Sequence, residues 1–373
     1  MNVLALNCGS SSLKYQVVTV DDRGEITGRP VRDTVERIGG DYGGAVGQPL
    51  DAVASLGVHL DAVTHRVVHG GDRTAPATLD AATIAMLDAL VELAPLHNEP
   101  AVATIRAARE RLPSIPHVAV FDTAFHTTLP ERAREYAIPR DVARKHGIRR
   151  YGFHGLAYRS VLARYAALTS TVESDATVVA LHLGSGCSAV AIAGGRSIDT
   201  SMGMTPLEGL VMRTRSGDLD PAIVPLLVRR EGVDAEEVHR WLEQRSGLSG
   251  LAGGSGDVRD LLTRVRSDAG ARLAIDVFCY RARKYVGAYL AALGGAQAVI
   301  FSGGIGEHQP EIRARICEGF GWAGLELDGD ANRAAVGGEA RISAASARLA
   351  AWVIVADEEA VMARDAWSVI RAG

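Results

Sequence analysis

Apolar residues in this chain come in short alternating runs, separated by glycine-rich turns and by stretches with helical spacing. NVLAL (residues 2–6) enters the polar tip NCGSSS, and LKYQVV leaves it, so two antiparallel strands are predicted. Asp21, Asp22, Arg23 and Gly24 turn the chain into a third strand. AVTHRVVHGG (62–71) reads as a strand ending in glycines, and HVAVFDTAFH (117–126) as a strand with Asp122 at its tip. LDAATIAMLDALVELAP has helical periodicity and is predicted to stop at Pro95, and LAYRSVLARYAAL (156–168) is a second helical stretch. Strands alternating with helices place the chain in the α/β class.

The opening pattern returns near the midpoint. TVVALHLGSGCSAVAI (177–192) lies over NVLALNCGSSSLKYQV at a constant offset of 175 residues, which sets Asn7 on His182, Gly9 on Gly184 and Ser10 on Ser185. Two such units half a chain apart suggest a duplicated fold. A third glycine turn follows the strand AVIFS and runs into a helix, GGIGEHQPEIRARICEGF (303–320). That geometry presents backbone N–H groups to a phosphate. Its spacing matches neither GxGxxG nor the P-loop. Two duplicated halves with phosphate-facing hairpins describe the actin, Hsp70 and sugar-kinase architecture, a ribonuclease H-like fold with the nucleotide in a cleft between two domains.

Composition narrows this only a little. The 373 residues are 47% hydrophobic and 23% charged with a net charge of −4, ordinary for a soluble protein with no whole-chain pull toward nucleic acid or anionic membrane. Cys8, Cys187, Cys279 and Cys317 are too scattered for a zinc knuckle or a disulfide framework. No signal peptide is predicted, and no apolar run approaches the ~20 residues needed to span a bilayer. Residues 285–301 contain Gly-Gly and Gln297 and read as a helix followed by a strand. A reducing cytoplasm is the expected compartment. His65 and His69 in HRVVH lack the glutamate of a helical HExxH, so a zinc site is not expected there.

The motifs NCGSSSLKYQVV, HRVVHGG, LAPLHN, FDTAFHTTLP, RRYGFHG, LHLGSGCS, DTSMGMTPLEGL, TRSGDLDP, GGIGEH and DEE run in order from residue 7 to residue 359. Together they resemble the acetate kinase family. The resemblance implies an N-terminal domain of residues 1–126 with 360–373 and a C-terminal domain of 127–359 carrying the nucleotide site. It also implies reversible transfer of the ATP γ-phosphoryl group to acetate, giving acetyl phosphate and ADP, with Mg²⁺ (Mn²⁺ able to substitute) in a cytoplasmic homodimer.

The residues fit such a reaction. A carboxylate acceptor is already ionised at neutral pH and needs no general base. Its difficulty is electrostatic, since two like unit charges ~4 Å apart at an effective dielectric near 20 repel by about 4 kcal/mol. Arginine, histidine and metal charge should therefore dominate the site. By the resemblance, Arg66 and Arg215 grip carboxylate or phosphoryl oxygens and His154 donates to the phosphoryl group in flight. Asp122 helps hold Mg²⁺ and orients an arginine, while Glu358 and Asn7 bind Mg²⁺. Ser10 and Ser12, with Lys14, face phosphates at the first hairpin. His182 contacts the γ-phosphate, and Gly184, Ser185, Gly186, Asp257, Val258, Arg259, Gly304, Ile305, Gly306 and His308 surround the nucleotide. Val68, Leu96, Phe153 and Pro206 form the acetate pocket, which should discriminate only partly against propionate.

Four positions depart from the family pattern. Ser185 stands where asparagine is common, His308 where asparagine is usual, Val258 where phenylalanine is common and Arg213 where glycine is common. Three of them fall in the nucleotide half, so a pyrophosphate donor stays beside ATP, and a short-chain acyl kinase beside an acetate kinase. Two further readings of the architecture remain, a sugar kinase with Asp122 as base and a non-enzymatic nucleotide switch. Only fourteen residues follow Glu359, too few for an extra client-binding domain.

Overall fold

The computed structural model describes residues 1–9 and 12–372, with the side chains of residues 95 and 96 left out. Ser10 and the Leu96 side chain thus lie outside the described residues. The chain divides into two compact units: Met1–Thr127 with Phe153–Ser160 and Asp357–Gly373, and Thr128–Gly152 with Val161–Ala356.

The first unit holds a six-stranded sheet of β1 (Asn2–Cys8), β2 (Ser12–Val20), β3 (Ile26–Glu36), β4 (Ala62–Val67), β5 (Ala77–Thr78) and β6 (His117–Phe121), in the order β3-β2-β1-β4-β6-β5. β1 is antiparallel to β2 and parallel to β4, and β4 is parallel to β6. The alternation in NVLALNC feeds both faces of the sheet. Leu4, Leu6 and Cys8 pack with Ala45, Val46, Val53 and Ala108 of the helices Tyr42–Ser55 and Pro95–Arg111. Val3 and Ala5 pack with Leu156 and with Val361, Met362 and Ala363 of the helix Glu358–Ala372. A sheet buried on both sides holds the ends of β1, β4 and β6 rigidly.

The second unit repeats the topology. Its strands are β7 (Thr177–Leu183), β8 (Cys187–Ala193), β9 (Arg196–Thr200), β10 (Ala298–Ser302), β11 (Ala340–Arg341) and β12 (Ala350–Val353), in the order β11-β12-β10-β7-β8-β9. β7 is antiparallel to β8 and parallel to β10, and β10 is parallel to β12, matching the first sheet strand for strand. The helix Ala269–Leu293 packs on β8, burying Ala271, Ile275, Phe278, Ala282, Val286 and Tyr289 at helical spacing.

Two details differ from the sequence reading. The offset of 175 holds only up to the turn. Cys8 pairs with Leu13 across the first hairpin but Leu183 with Cys187 across the second, so the second turn is one residue shorter. And Pro95 does not end a helix. The helix Ala81–Ala89, capped by the Asp80 side chain on the Thr83 N–H at 2.7 Å, has already finished, and Pro95 opens the helix Pro95–Arg111. Proline lacks the N–H that the first turn leaves unpaired, so it serves equally well as a start.

Candidate active site

In the first unit the strand ends gather one charged cluster. Arg66, near the end of β4, is forked onto Asp122, with Nε 3.1 and 3.2 Å from the two carboxylate oxygens and Nη2 2.6 Å from Oδ2. Its Nη1 donates to Asn7 Oδ1 at 3.1 Å, at the end of β1, and lies 3.5 Å from Glu358 Oε2. Asn7 Nδ2 in turn donates to Glu358 Oε2 at 2.9 Å. Asp122 is fully buried, whereas 17% of the Arg66 side chain is exposed. Burial works against the charge of Arg66, but Asp122, Glu358 and Glu359 together outweigh it and raise its pKa above the ordinary guanidinium value. Burial also raises the Asp122 carboxyl above the usual aspartate range, with Arg66 pulling the other way. Glu359, half-buried beside Glu358, is raised by desolvation and then by the like charge of Glu358.

His154 joins this cluster through its backbone, whose N–H bonds the Asp122 carboxylate. It does so at φ 60°, in the left-handed region that residues with a Cβ seldom enter. Its neighbour Gly155 allows the approach, since a Cβ there would lie 2.0 Å from the Asp122 carbonyl oxygen. Val68 and Phe153 are buried in the same unit, and the Phe153 ring meets His69 edge-on at 5.6 Å. Ser12 lies at the first turn, where its carbonyl accepts from the Gly9 N–H at 2.8 Å. Lys14 is exposed on β2 directly across from Asn7.

The second unit contains a pocket of about 370 Å³. Gly184, Ser185, Asp257, Val258, Arg259, Gly304, Ile305 and His308, all singled out from the sequence, line it together with Arg213. His182, Gly186 and Gly306 are not lining residues. His182 sits on β7 before the turn, and the Gly186 carbonyl accepts the Gly184 N–H at 3.0 Å. Gly306 is buried, and its carbonyl accepts from Arg313 Nη1 at 2.8 Å. Asp257 caps the helix Val258–Arg264 and is forked by Arg259, with Nη2 2.7 Å from Oδ2, which holds its carboxyl down to about 2.

Arg215 and Pro206 also belong to the second unit and touch directly: Arg215 Nη1 donates to the buried Pro206 carbonyl at 3.1 Å, and Nε lies 3.1 Å from Glu243. Desolvation lowers the Arg215 pKa, with Glu243 opposing.

Two supporting groups were not singled out from the sequence. Asn98 clamps the loop after β4, accepting the His69 N–H and donating to the His69 carbonyl, both at 3.0 Å. Glu208 supports the segment that carries Pro206. It takes Arg150 Nη2 at 2.6 Å and the hydroxyl of Tyr136, while Arg150 Nη1 reaches the Ser201 and Met202 carbonyls and Tyr136 accepts the Met204 N–H. Burial and then Glu208 push the Tyr136 phenol well above its ordinary value. Both residues lie inside quoted motifs, LAPLHN and TPLEGL, but their partners are distant in the chain and only the fold reveals them.

Chemically, the first unit offers a preorganised cation beside a carboxylate and an amide, and the second offers a pocket edged by glycines at strand ends. The model of the acetokinase family matches residues 46–364. The chain is 47% identical to the acetate kinase of Solibacter usitatus over 98% of this chain and 97% of that one, and 45% identical to that of Micrococcus luteus over the whole of both. Among solved structures it superposes on Porphyromonas gingivalis acetate kinase with a TM-score of 0.90 at 34% identity, covering 99% of each chain. A propionate kinase from Francisella tularensis gives 0.88 at 33%, covering 98% of this chain and 99% of that one. The duplicated α/β halves, the ordered motifs and these full-length similarities agree: the chain belongs to the acetokinase family, phosphotransferases that take acetate as acceptor.

Proposed function

We propose that this chain transfers the γ-phosphoryl group of ATP directly and in line to acetate, reversibly, giving acetyl phosphate and ADP. The observation that carries this reading is the engagement of Asp122. A strand-end aspartate would be the base in a hydroxyl-directed kinase, yet here both of its oxygens accept from Arg66 and the His154 N–H adds a further bond. A carboxylate so occupied orients an arginine rather than taking up a proton. Acetate needs no base, only relief from repulsion by the phosphates.

On this reading Arg66 and His154 draw charge from the transferred group, and Arg215 pairs with the acetate carboxylate. Val68, Leu96, Phe153 and Pro206 enclose the methyl group. The methyl pocket gives at most ~1–3 kcal/mol per methylene, so propionate is expected as a weaker second substrate. The glycine-edged pocket of the second unit takes the nucleotide, with His182 toward the γ-phosphate and Lys14, Ser10 and Ser12 as further phosphate donors. Glu358 and Asn7, whose side chains meet at the end of β1, would hold Mg²⁺ through one carboxylate and one amide oxygen, ligand types that suit this hard cation. When bound, Mg²⁺ neutralises phosphate charge. The chain's own residues align acceptor and donor around that charge.

We read the enzyme as a cytoplasmic homodimer. Among the described residues no helix is long and apolar enough to cross a membrane. Supplying acetate, ATP and Mg²⁺ in the presence of hydroxylamine tests the reaction. Acetyl hydroxamate should accumulate with turnover. Its absence, with a sugar phosphorylated instead, would overturn the reading.

A further inference from the structure

Two arginines line the 370 Å³ pocket, and Asp257, which feels the charge of both, is in direct ion-pair contact with Arg259 and not with Arg213. Arg259 is committed to Asp257 through two side-chain bonds of 2.7 and 3.1 Å. Asp257 cancels Arg259, and Arg213 leaves the pocket with a net positive charge. A lining of that sign favours an anionic occupant.

The position of Arg213 is fixed more firmly than its exposed side chain suggests. Its backbone N–H donates to the Ser185 carbonyl at 3.2 Å, and its carbonyl accepts the Ser249 N–H at 2.9 Å. Both ends of the peptide are therefore anchored, one of them to the turn between β7 and β8. The side-chain stem crosses Gly256, where a Cβ would come within 3.1 Å of Arg213 Cγ and 2.6 Å of its carbonyl oxygen. Only a residue without a side chain at 256 leaves room for that path. The arginine is thus rooted beside the Gly184–Ser185 turn, and across the pocket Gly304 has open space where a Cβ would stand. Exposed peptide edges of this kind are where a phosphate chain approaches the backbone.

We propose that Arg213 is a phosphate-binding residue of the donor site, contacting the diphosphate portion shared by ATP and ADP. This rests on the nucleotide reading of the pocket given above. It makes the grip of this chain on its donor partly electrostatic at a point where the backbone alone would otherwise serve. The apolar surface offered by Val258 and Ile305 is left for the base.

The test compares ADP with adenosine, by calorimetric titration of the parent, Arg213→Ala and Arg213→Lys. One charge-assisted hydrogen bond corresponds to about a ten- to hundredfold change in affinity. Arg213→Ala should weaken ADP by that factor and leave adenosine unchanged, with Arg213→Lys in between and the ADP loss shrinking as salt is raised. Equal losses for ADP and adenosine would assign the guanidinium to the base and overturn the proposal, as would unchanged ADP affinity in Arg213→Ala. A parent chain that binds no ADP would overturn both this assignment and the reading beneath it. Unchanged thermal melting of both variants identifies any loss as one of contact, since the side chain is exposed.

Discussion

The backbone N–H of His154 bonds the buried carboxylate of Asp122, and His154 makes that bond from a left-handed conformation at φ 60°. The strained residue is thus tied to the same carboxylate that forks Arg66. Strain of this kind persists only where the surroundings impose it.

The first prediction separates that strain from the imidazole. His154→Ala and His154→Gly both remove the ring, but only glycine relieves the backbone. His154→Gly should be more stable than His154→Ala by about 1 kcal/mol in denaturant unfolding. Both should lose most turnover. Equal stability would mean that the conformation carries no cost.

Removing the carboxylate is a harsher change. Asp122→Ala leaves the Arg66 guanidinium, 17% exposed, without its main partner. Breaking a buried pair from one side costs roughly 3–5 kcal/mol. The denaturation midpoint should fall accordingly. Asp122→Asn, which keeps the shape, should retain the fold better yet lose activity about as much as Arg66→Ala.

A third prediction concerns acid. His65 and His117, on neighbouring strands β4 and β6, lie 3.0 Å apart through Nε2 and Nδ1 with their rings stacked. The second nitrogen of His117 meets the Leu112 carbonyl at 3.1 Å and so carries the proton, which makes His65 Nε2 the donor between the rings. Desolvation comes first in lowering both pKa values below 6.5, and neighbouring positive charge adds to it at Arg109. The unfolded chain therefore binds more protons below about pH 6.5. The stability that this pair contributes is present above that value and lost as pH falls toward the depressed folded values, by about 1.4 kcal/mol per pH unit for each histidine. Unfolding curves from pH 7.5 to 5 should show this slope, and His65→Gln should flatten it.

Glu208 gives a prediction about positioning. Glu208→Gln removes the charge that holds Arg150, and Arg150 in turn holds the Ser201 and Met202 carbonyls before Pro206. Displacing that segment moves Pro206, a wall of the acetate pocket we propose, and with it the carbonyl to which Arg215 is bonded. Acetate KM should rise, and kcat/KM for acetate should fall about tenfold to a hundredfold. ATP KM should stay near that of the parent. A parallel rise in both would mean general destabilisation.

Much of this was legible from local pattern. Alternation broken by a glycine turn needs only neighbouring residues, so the β1–β2 and β7–β8 hairpins and the strand before Gly303 stand out in the sequence. The shorter second turn does not, because a one-residue slip flips faces only when the partner strand is known. Pro95 misleads since proline suits a helix start as well as an end. For the site, Arg66, Asp122 and Asn7 sit at ends of adjacent parallel strands, so motifs far apart in sequence converge once the strand order is set. The roles of Asn98 and Glu208 depend on partners 29 and 58 residues away and on the conformation of a loop, which periodicity does not encode.

The central claim is that fixed positive charge, not a proton acceptor, overcomes the repulsion between acetate and the donor phosphates. Arg215→Ala tests it most directly, assayed as hydroxylamine-trapped acetyl phosphate with and without millimolar guanidinium in the buffer. The account predicts a turnover loss of at least about a hundredfold, the scale of one lost transition-state charge contact, with partial recovery when guanidinium is added. Turnover within tenfold of the parent and indifferent to guanidinium would contradict it.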